Sequence, residues 1–398
     1  MLIQFTLKNV LSFKEETTLD LTAVNAYREH ENNLISNYSK DKILRVAAIY
    51  GANASGKSNL CVAMGYFQKI IRESLNNSDD AGNTVIQNLH IPFSFENGEG
   101  ENSEFQIVEI IEGFEYRYGF EYNEDCIVKE WLYGKNLKTN RNTIIFERTT
   151  EEVIFGASVR RECEAYKQQV PIETLVLSFL NKLKLKTDVF KKVYYGIMET
   201  LVVPSDFCED LRLLEEFLPQ AIDEEKEKLI EFLTAIDTGI KDIEYDDSEK
   251  DISFTTTHIG ADGKKYPLSL FFESEGTIKS IMLFIYARTA ILNDCSLFVD
   301  EINTKLHPLL LKFIIDLFYD ESSIGQLIYT THDTTLLDKS FFRRDQIWFV
   351  QKDEFGYSEL MALSDFKVRS DASFEKDYLA GVYGGIPLLK GFEMKEGD

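Results

Sequence analysis

The segment Gly51-Ala52-Asn53-Ala54-Ser55-Gly56-Lys57-Ser58 constrains this chain more than any other. It follows Arg45-Val46-Ala47-Ala48-Ile49-Tyr50, which reads as a buried strand, and precedes a helix that the sequence places from Asn59 onward. Strand, glycine-bounded loop and helix in that order fit a phosphate-binding loop at every fixed position. Gly51 and Gly56 let the backbone fold back, so the N–H groups of Ala52, Asn53, Ala54 and Ser55 point inward at an anion. The helix opening at Asn59 aims its N-terminus at the same anion. Lys57 then reaches the β- and γ-phosphates, and the Ser58 hydroxyl reaches a magnesium ion. A chance glycine-rich turn is the competing reading, and the flanking strand and helix argue against it.

Ser296-Leu297-Phe298-Val299-Asp300-Glu301 gains its meaning from that loop. An apolar strand that shows carboxylates only at its C-terminal end places them where open α/β sheets bind ligands. Asp300 suits the magnesium ion, and Glu301, one residue on, suits the general base for an attacking water. Alone, such a run marks only a strand ending at the surface.

A long insertion separates Lys57 from Asp300, so the two halves of one nucleotide site lie far apart in sequence. Glu273-Ser274-Glu275-Gly276-Thr277 stands ahead of the acidic strand, with the apolar segment Ile281–Leu292 between them. Ile328-Tyr329-Thr330-Thr331-His332-Asp333 follows as a short strand ending in polar residues.

Loop, inserted lobe, Ser-x-Gly, acidic strand and histidine in this order resemble the head of an ABC-type ATPase. The SMC/RecF/Rad-fifty-like branch is the more similar one. A transporter would carry Leu-Ser-Gly-Gly-Gln where this chain has Ser274-Glu275-Gly276-Thr277. The chain is more similar still to the stand-alone ATPases of bacterial abortive-infection and anti-phage systems, of the AbiL, RloA and PARIS types. Leu7–Glu15, Tyr50–Leu60, Glu273–Thr277, Asp300-Glu301-Ile302, Leu306-His307-Pro308, Gln326–Asp333, Arg344–Val350 and Tyr378–Pro387 carry that resemblance.

The resemblance implies an α/β fold with a mixed central sheet, an antiparallel β meander lobe and an inserted helical lobe. It implies ATP and Mg2+ as ligands. It also implies a homodimer, or a larger assembly, in which Ser274 and Gly276 of one copy cap the γ-phosphate held by the other. His332 would contact that phosphate and the attacking water, although a strand-end histidine is the plainer alternative. Ser274 equally suits a helix N-cap, and the two roles are compatible. The partner implied is an effector such as a nuclease. The rival reading is a RecF-like repair ATPase that clamps DNA, and a third makes the nucleotide purely structural.

Several positions stay open. Gln87 lies near the region of a coupling glutamine but also suits the surface. Asn9 and Ser12 fall where related heads touch adenine, or simply end the first hairpin. His307 suits a helix start before Pro308 or a subunit contact.

The head is expected over 1–90 and 239–398, a β lobe over 91–157 and a helical lobe over 158–238. Asn76–Asn83 reads as a polar break. Strands are expected at Phe105–Ile110, Tyr116–Glu121, Ile127–Tyr133, Asp242–Tyr245 and Ile252–Thr257. Tyr378–Pro387 is expected as a packed turn, with an assembly contact as the alternative. Hydrophobic content of 44%, with 29 Phe and 19 Tyr, supports a sizeable core. Five scattered cysteines without a CxxC pair suggest free thiols in a reducing compartment. The first residues open directly into an alternating strand, Leu2–Leu7, and no apolar run is long enough to span a bilayer, so a cytosolic protein is expected. A net charge of −24 repels nucleic acid over most of the surface. Asn181–Lys186 with Lys191-Lys192 is the best candidate for a basic patch, and a solvated helix face is the favoured alternative.

Overall fold

The computed structural model describes residues 1–387 apart from 37, 39, 77, 78, 80, 81, 96–100, 207–210, 249–251, 321, 370 and 371. Cys208 and part of the Asn76–Asn83 break therefore lie outside the described residues. The chain opens with β1 (Leu2–Lys8) and β2 (Thr17–Asp20), then a hairpin of β3 (Leu34–Ile35) and β4 (Ile43–Leu44), then β5 (Val46–Tyr50). Helices α1 (Lys57–Glu73) and α2 (Val85–Leu89) lead to β6 (Ser103–Ile111), β7 (Phe114–Tyr122), β8 (Ile127–Asn136), β9 (Arg141–Thr149) and β10 (Val153–Phe155). Next come α3 (Arg160–Cys163), α4 (Val176–Asn181), α5 (Val189–Glu199), β11 (Leu201–Val203) and α6 (Leu211–Ala235). The remainder holds β12 (Asp242–Asp246), β13 (Ser253–Ile259), β14 (Lys265–Ser269), α7 (Glu275–Leu292), β15 (Ser296–Val299) and α8 (Pro308–Asp316). It closes with β16 (Gln326–Thr331), β17 (Ile347–Lys352), β18 (Ser358–Ala362) and α9 (Phe374–Leu379).

The central sheet runs β11-β15-β16-β5-β17-β18 and is parallel except for β18. Its inner strands are apolar on both faces because both are covered. Val46, Ala48 and Tyr50 face a core shared with α6, α7 and α8, while Ala47 and Ile49 face a second core. That second core joins the central sheet to an antiparallel sheet of order β10-β9-β8-β7-β6-β1-β2, with α1 between them. The antiparallel meander is present, but it is continuous with the first strand of the chain, since β1 pairs with β6 from Leu2 to Lys8. A third sheet, β12-β13-β14, precedes α7.

Residues 158–238 are shared between the two cores. The apolar residues of α4 and α5 pack into the core of the antiparallel sheet, and those of α6 into the other. Between them β11 joins the central sheet, pairing Leu201–Val203 with Leu297–Val299. In the basic stretch, Leu183 and Leu185 pack inward. Lys192 is paired with Glu112 at 2.6 Å and with Asp188 at 2.9 Å, and Lys182 lies over the Tyr194 ring. The alternation of leucine and lysine is therefore that of a solvated face. Among the described residues no helix is long and apolar enough to cross a membrane. Cys61, Cys126, Cys163 and Cys295 are free thiols.

One buried ionic network ties the helices to the meander. Glu130 on β8 accepts bonds from Val176 N (2.6 Å), Leu177 N (3.0 Å) and the Tyr118 hydroxyl (3.0 Å). It thus satisfies the first amides of α4, which has no side-chain cap of its own. Arg148 lies 3.8 Å away and donates to the carbonyls of Pro171 and Ile172. Burial raises the Glu130 pKa, and Arg148 and the amides oppose that rise. Removing one member of such a network strands its partners, at a cost of about 3–5 kcal/mol. Glu130→Ala is expected to lower the unfolding free energy measured by urea titration by that amount. A shift below about 1 kcal/mol would show that the network contributes little.

Candidate functional site

Strand register brings the expected residues to one edge. Thr331 is level with Tyr50, and Val299 with Tyr329. Gly51, Asp300 and His332 therefore leave neighbouring strands at the same C-terminal edge, the ligand-binding edge of an open α/β sheet.

The loop after β5 is held by close backbone packing. Ala54 has φ 62° and Gly56 has φ 110°, both left-handed. A Cβ on Gly56 would stand 2.2 Å from Ser358 Oγ and 2.8 Å from Ser12 Oγ. A Cβ on Gly51 would stand 2.5 Å from the Val350 carbonyl. Neither position has room for a side chain. The Ser358 hydroxyl lies 2.7 Å from both Ser12 Oγ and the Ser55 carbonyl, and Asn59 Nδ2 donates to Ser12 at 2.7 Å. Asn59 and Ser12 thus brace the loop from beneath. Asn9 is buried, with φ 52°, and its amide bonds Phe93 N and the Glu101 carbonyl, which matches the hairpin-ending alternative.

Lys57 Nζ donates to the carbonyls of Gly51 and Ala52, both at 2.9 Å. Burial lowers its pKa, while Glu301 and then Asp300 favour its charged form. Asp300 also acts on Cys61, on the next turn of α1, whose pKa is raised first of all by burial. The ammonium and both carboxylates therefore share one electrostatic environment.

Asp300 is buried, and its Oδ1 accepts a bond from the Thr330 hydroxyl at 2.5 Å. Glu301 adopts φ 45°, a conformation that costs a non-glycine residue about 1 kcal/mol or more. Both ends of its peptide frame are tied: Glu301 N donates to Thr330 Oγ1 at 2.8 Å, and its carbonyl accepts from Lys279 Nζ at 3.2 Å. His332 Nε2 stands 3.3 Å from Asn303 Nδ2, and Asn303 Oδ1 accepts from Thr331 Oγ1 at 2.8 Å. Thr330, Lys279 and Asn303 were not singled out from the sequence, because their roles depend on contacts across the fold. The one available signal was the position of Thr330 two residues before the expected histidine.

Ser274 is exposed and is the N-cap of α7, accepting from Thr277 N at 3.1 Å. Gly276 packs on the loop after Glu301, where a Cβ would stand 2.8 Å from the Lys305 carbonyl. Gln87 completes a capping box with Thr84 at the start of α2, its surface alternative. His307 caps α8 ahead of Pro308. The Tyr378–Pro387 segment is a packed turn: Tyr378 and Tyr383 stack on Phe349 at 5.1 and 5.3 Å, and the Tyr378 hydroxyl donates to the Gly385 carbonyl. A cleft of about 570 Å³ opens between this turn, Gln351, Lys352 and Ala52–Ser55. A larger hollow, about 1100 Å³, follows α6 and includes none of the loop residues.

The residues fit a nucleoside triphosphate with its cation. The glycine cradle leaves backbone room, and buried Ser55 Oγ has no hydrogen-bond partner among the described residues. Lys57 supplies a cation, and Ser58 and Asp300 supply oxygen donors suited to a hard divalent metal. No cluster of three His, Cys, Asp or Glu side chains that could hold a metal occurs among the described residues.

A glycine-bounded loop after one parallel strand, acidic residues ending a second and a histidine ending the strand between them meet at one sheet edge, an arrangement suited to a nucleotide-binding ATPase. The family model described as "AAA domain, putative AbiEii toxin, Type IV TA system" matches residues 46–170 and 196–338, more than half of the chain. The chain belongs to this family, and it is an ATP-binding ATPase. The matched ranges include Gly51–Asn59, Ser274, Gly276, Asp300, Glu301 and His332. Among solved structures, the chain is similar to an SMC head bound to the C-terminal winged-helix domain of ScpA. Identity there is 14%, coverage is 95% of this chain and 99% of that one, and the TM-score is 0.47. It is also similar to the SMC head domain from Thermotoga maritima, with 13% identity, coverage of 91% and 98%, and a TM-score of 0.40. No curated protein sequence matches the chain.

Proposed function

We propose that this ATPase is a switch in bacterial anti-phage defence, in which ATP joins two copies and hydrolysis separates them. The convergence of Lys57, Asp300 and Glu301 at one sheet edge carries the reading. In this reading the amides of Ala52–Ser55 and the Lys57 ammonium hold the triphosphate. Ser58 and Asp300 hold a magnesium ion, which neutralises charge on the phosphates. Glu301 takes the proton from the attacking water, and His332 senses the γ-phosphate. Ser274 and Gly276 cap the nucleotide of the second copy, and the exposure of Ser274 at a helix N-terminus supports this. The switch would act on an effector protein such as a nuclease. A net charge of −24 suits a basic protein partner better than DNA, as does the pairing of Lys192.

Light scattering with a non-hydrolysable ATP analogue tests the assembly. The wild type is expected to double in mass, whereas Ser274→Arg binds the analogue and stays monomeric. A wild type that stays monomeric, or an assembling Ser274→Arg, would refute capping by a second copy. Salt-sensitive, ATP-dependent binding of plain duplex DNA would favour the clamp instead. For the defence role, cells carrying the gene with its genomic neighbours should lose phage protection when Glu301 is changed to Gln.

A further inference from the structure

We infer that Glu273, held by Thr256 and His258, is a positioning residue that sets the Ser274–Gly276 turn for capping. The inference rests on the reading of Ser274 given above. Thr256 and His258 are alternate residues of β13, so their side chains leave the same face of the strand. One carboxylate reaches both: Glu273 Oε1 lies 2.6 Å from the Thr256 hydroxyl and 2.6 Å from His258 Nε2. The Glu273 side chain is only 9% exposed, whereas Ser274 and Glu275, which follow directly, are exposed.

The backbone makes this clamp consequential. Glu273 and Ser274 are both extended, with ψ 163° and 148°, and they form the whole link between the short helical turn Leu270–Phe272 and α7. A side chain fixed at Glu273 therefore limits where the cap of α7 can stand. On its other side the turn rests on the loop after Glu301, through Gly276 against the Lys305 carbonyl and Lys305 Nζ 3.1 Å from Glu275. Upstream, the position of the turn is set by the middle strand of the small sheet. A largely covered carboxylate with two hydrogen-bonding partners thus stands one residue before an exposed cap.

The test separates positioning from folding. Glu273→Ala and His258→Ala are expected to lower kcat and ATP-driven assembly about tenfold or more, the effect of losing a hydrogen bond to a charged group. Binding of a fluorescent ATP analogue to the dilute single chain should stay unchanged. Glu273→Gln and His258→Gln keep an acceptor and a donor, and each should restore most of the loss. Wild-type turnover and assembly in both alanine variants would overturn the inference. So would a parallel loss of analogue binding and thermal stability, because the clamp would then be only structural. Ser274→Arg serves as the control. If it assembles normally, the capping reading and this inference fall together. If it alone fails to assemble, only this inference falls.

Discussion

Lys57→Ala is expected to abolish ATP binding, with affinity falling at least 100-fold. The ammonium is the one strong cation placed by the loop, and it lies in the field of Glu301 and Asp300. Bringing a triphosphate to two carboxylates without it leaves like charges opposed at close range. A hydrogen bond to a charged group contributes about 1.5–3 kcal/mol, and each 1.4 kcal/mol is tenfold in affinity. The lysine also ties the loop to itself through Gly51 and Ala52, so its loss loosens the cradle as well. Calorimetric titration measures the effect. ATP binding at wild-type affinity would remove the loop from the site.

Glu301→Gln is expected to keep ATP binding while hydrolysis falls about 100-fold or more, the usual contribution of a positioned general base. The amide fills the same space and cannot take a proton. The backbone bonds to Thr330 and from Lys279 do not involve the changed group, so the geometry should persist. ATP-bound variant should therefore accumulate as a lasting dimer or larger assembly on a sizing column. Wild-type turnover would assign the base elsewhere, and unchanged size with ATP would count against assembly.

The parts of this site that were legible in the sequence are those whose chemistry is local. Gly51–Ser58 has a pattern because its positions answer to a backbone turn or to the phosphate contacts proposed above. Asp300 and Glu301 end a fully apolar strand, a common pattern that gained its meaning only beside the loop. Ser274 was readable twice over, as cap and as signature, and the cap is directly visible. What stayed hidden is what the fold assembles from distant positions. Ser358 lies 303 residues beyond the loop carbonyl it bonds, and no window of sequence joins them. β11 has only three residues and follows a helix closely, too short for any periodicity to announce a strand. Arg141–Thr149 mixes charge with apolar residues, so β9 escaped notice although it pairs along nearly all of β8. Gln87 and Asn9 were ambiguous for a related reason: a polar side chain near a site and one that secures a turn look alike until its partner is known.

The backing of the nucleotide loop has a consequence for how the protein is made. Gly51 rests on the Val350 carbonyl, Ser55 is bonded by Ser358, and the Gly385 turn closes behind them. A nascent chain that has emerged only as far as α1 holds the loop residues but none of these supports. Competence to bind nucleotide should consequently arise late in synthesis, and ribosome-stalled fragments ending before β17 should be unable to retain ATP.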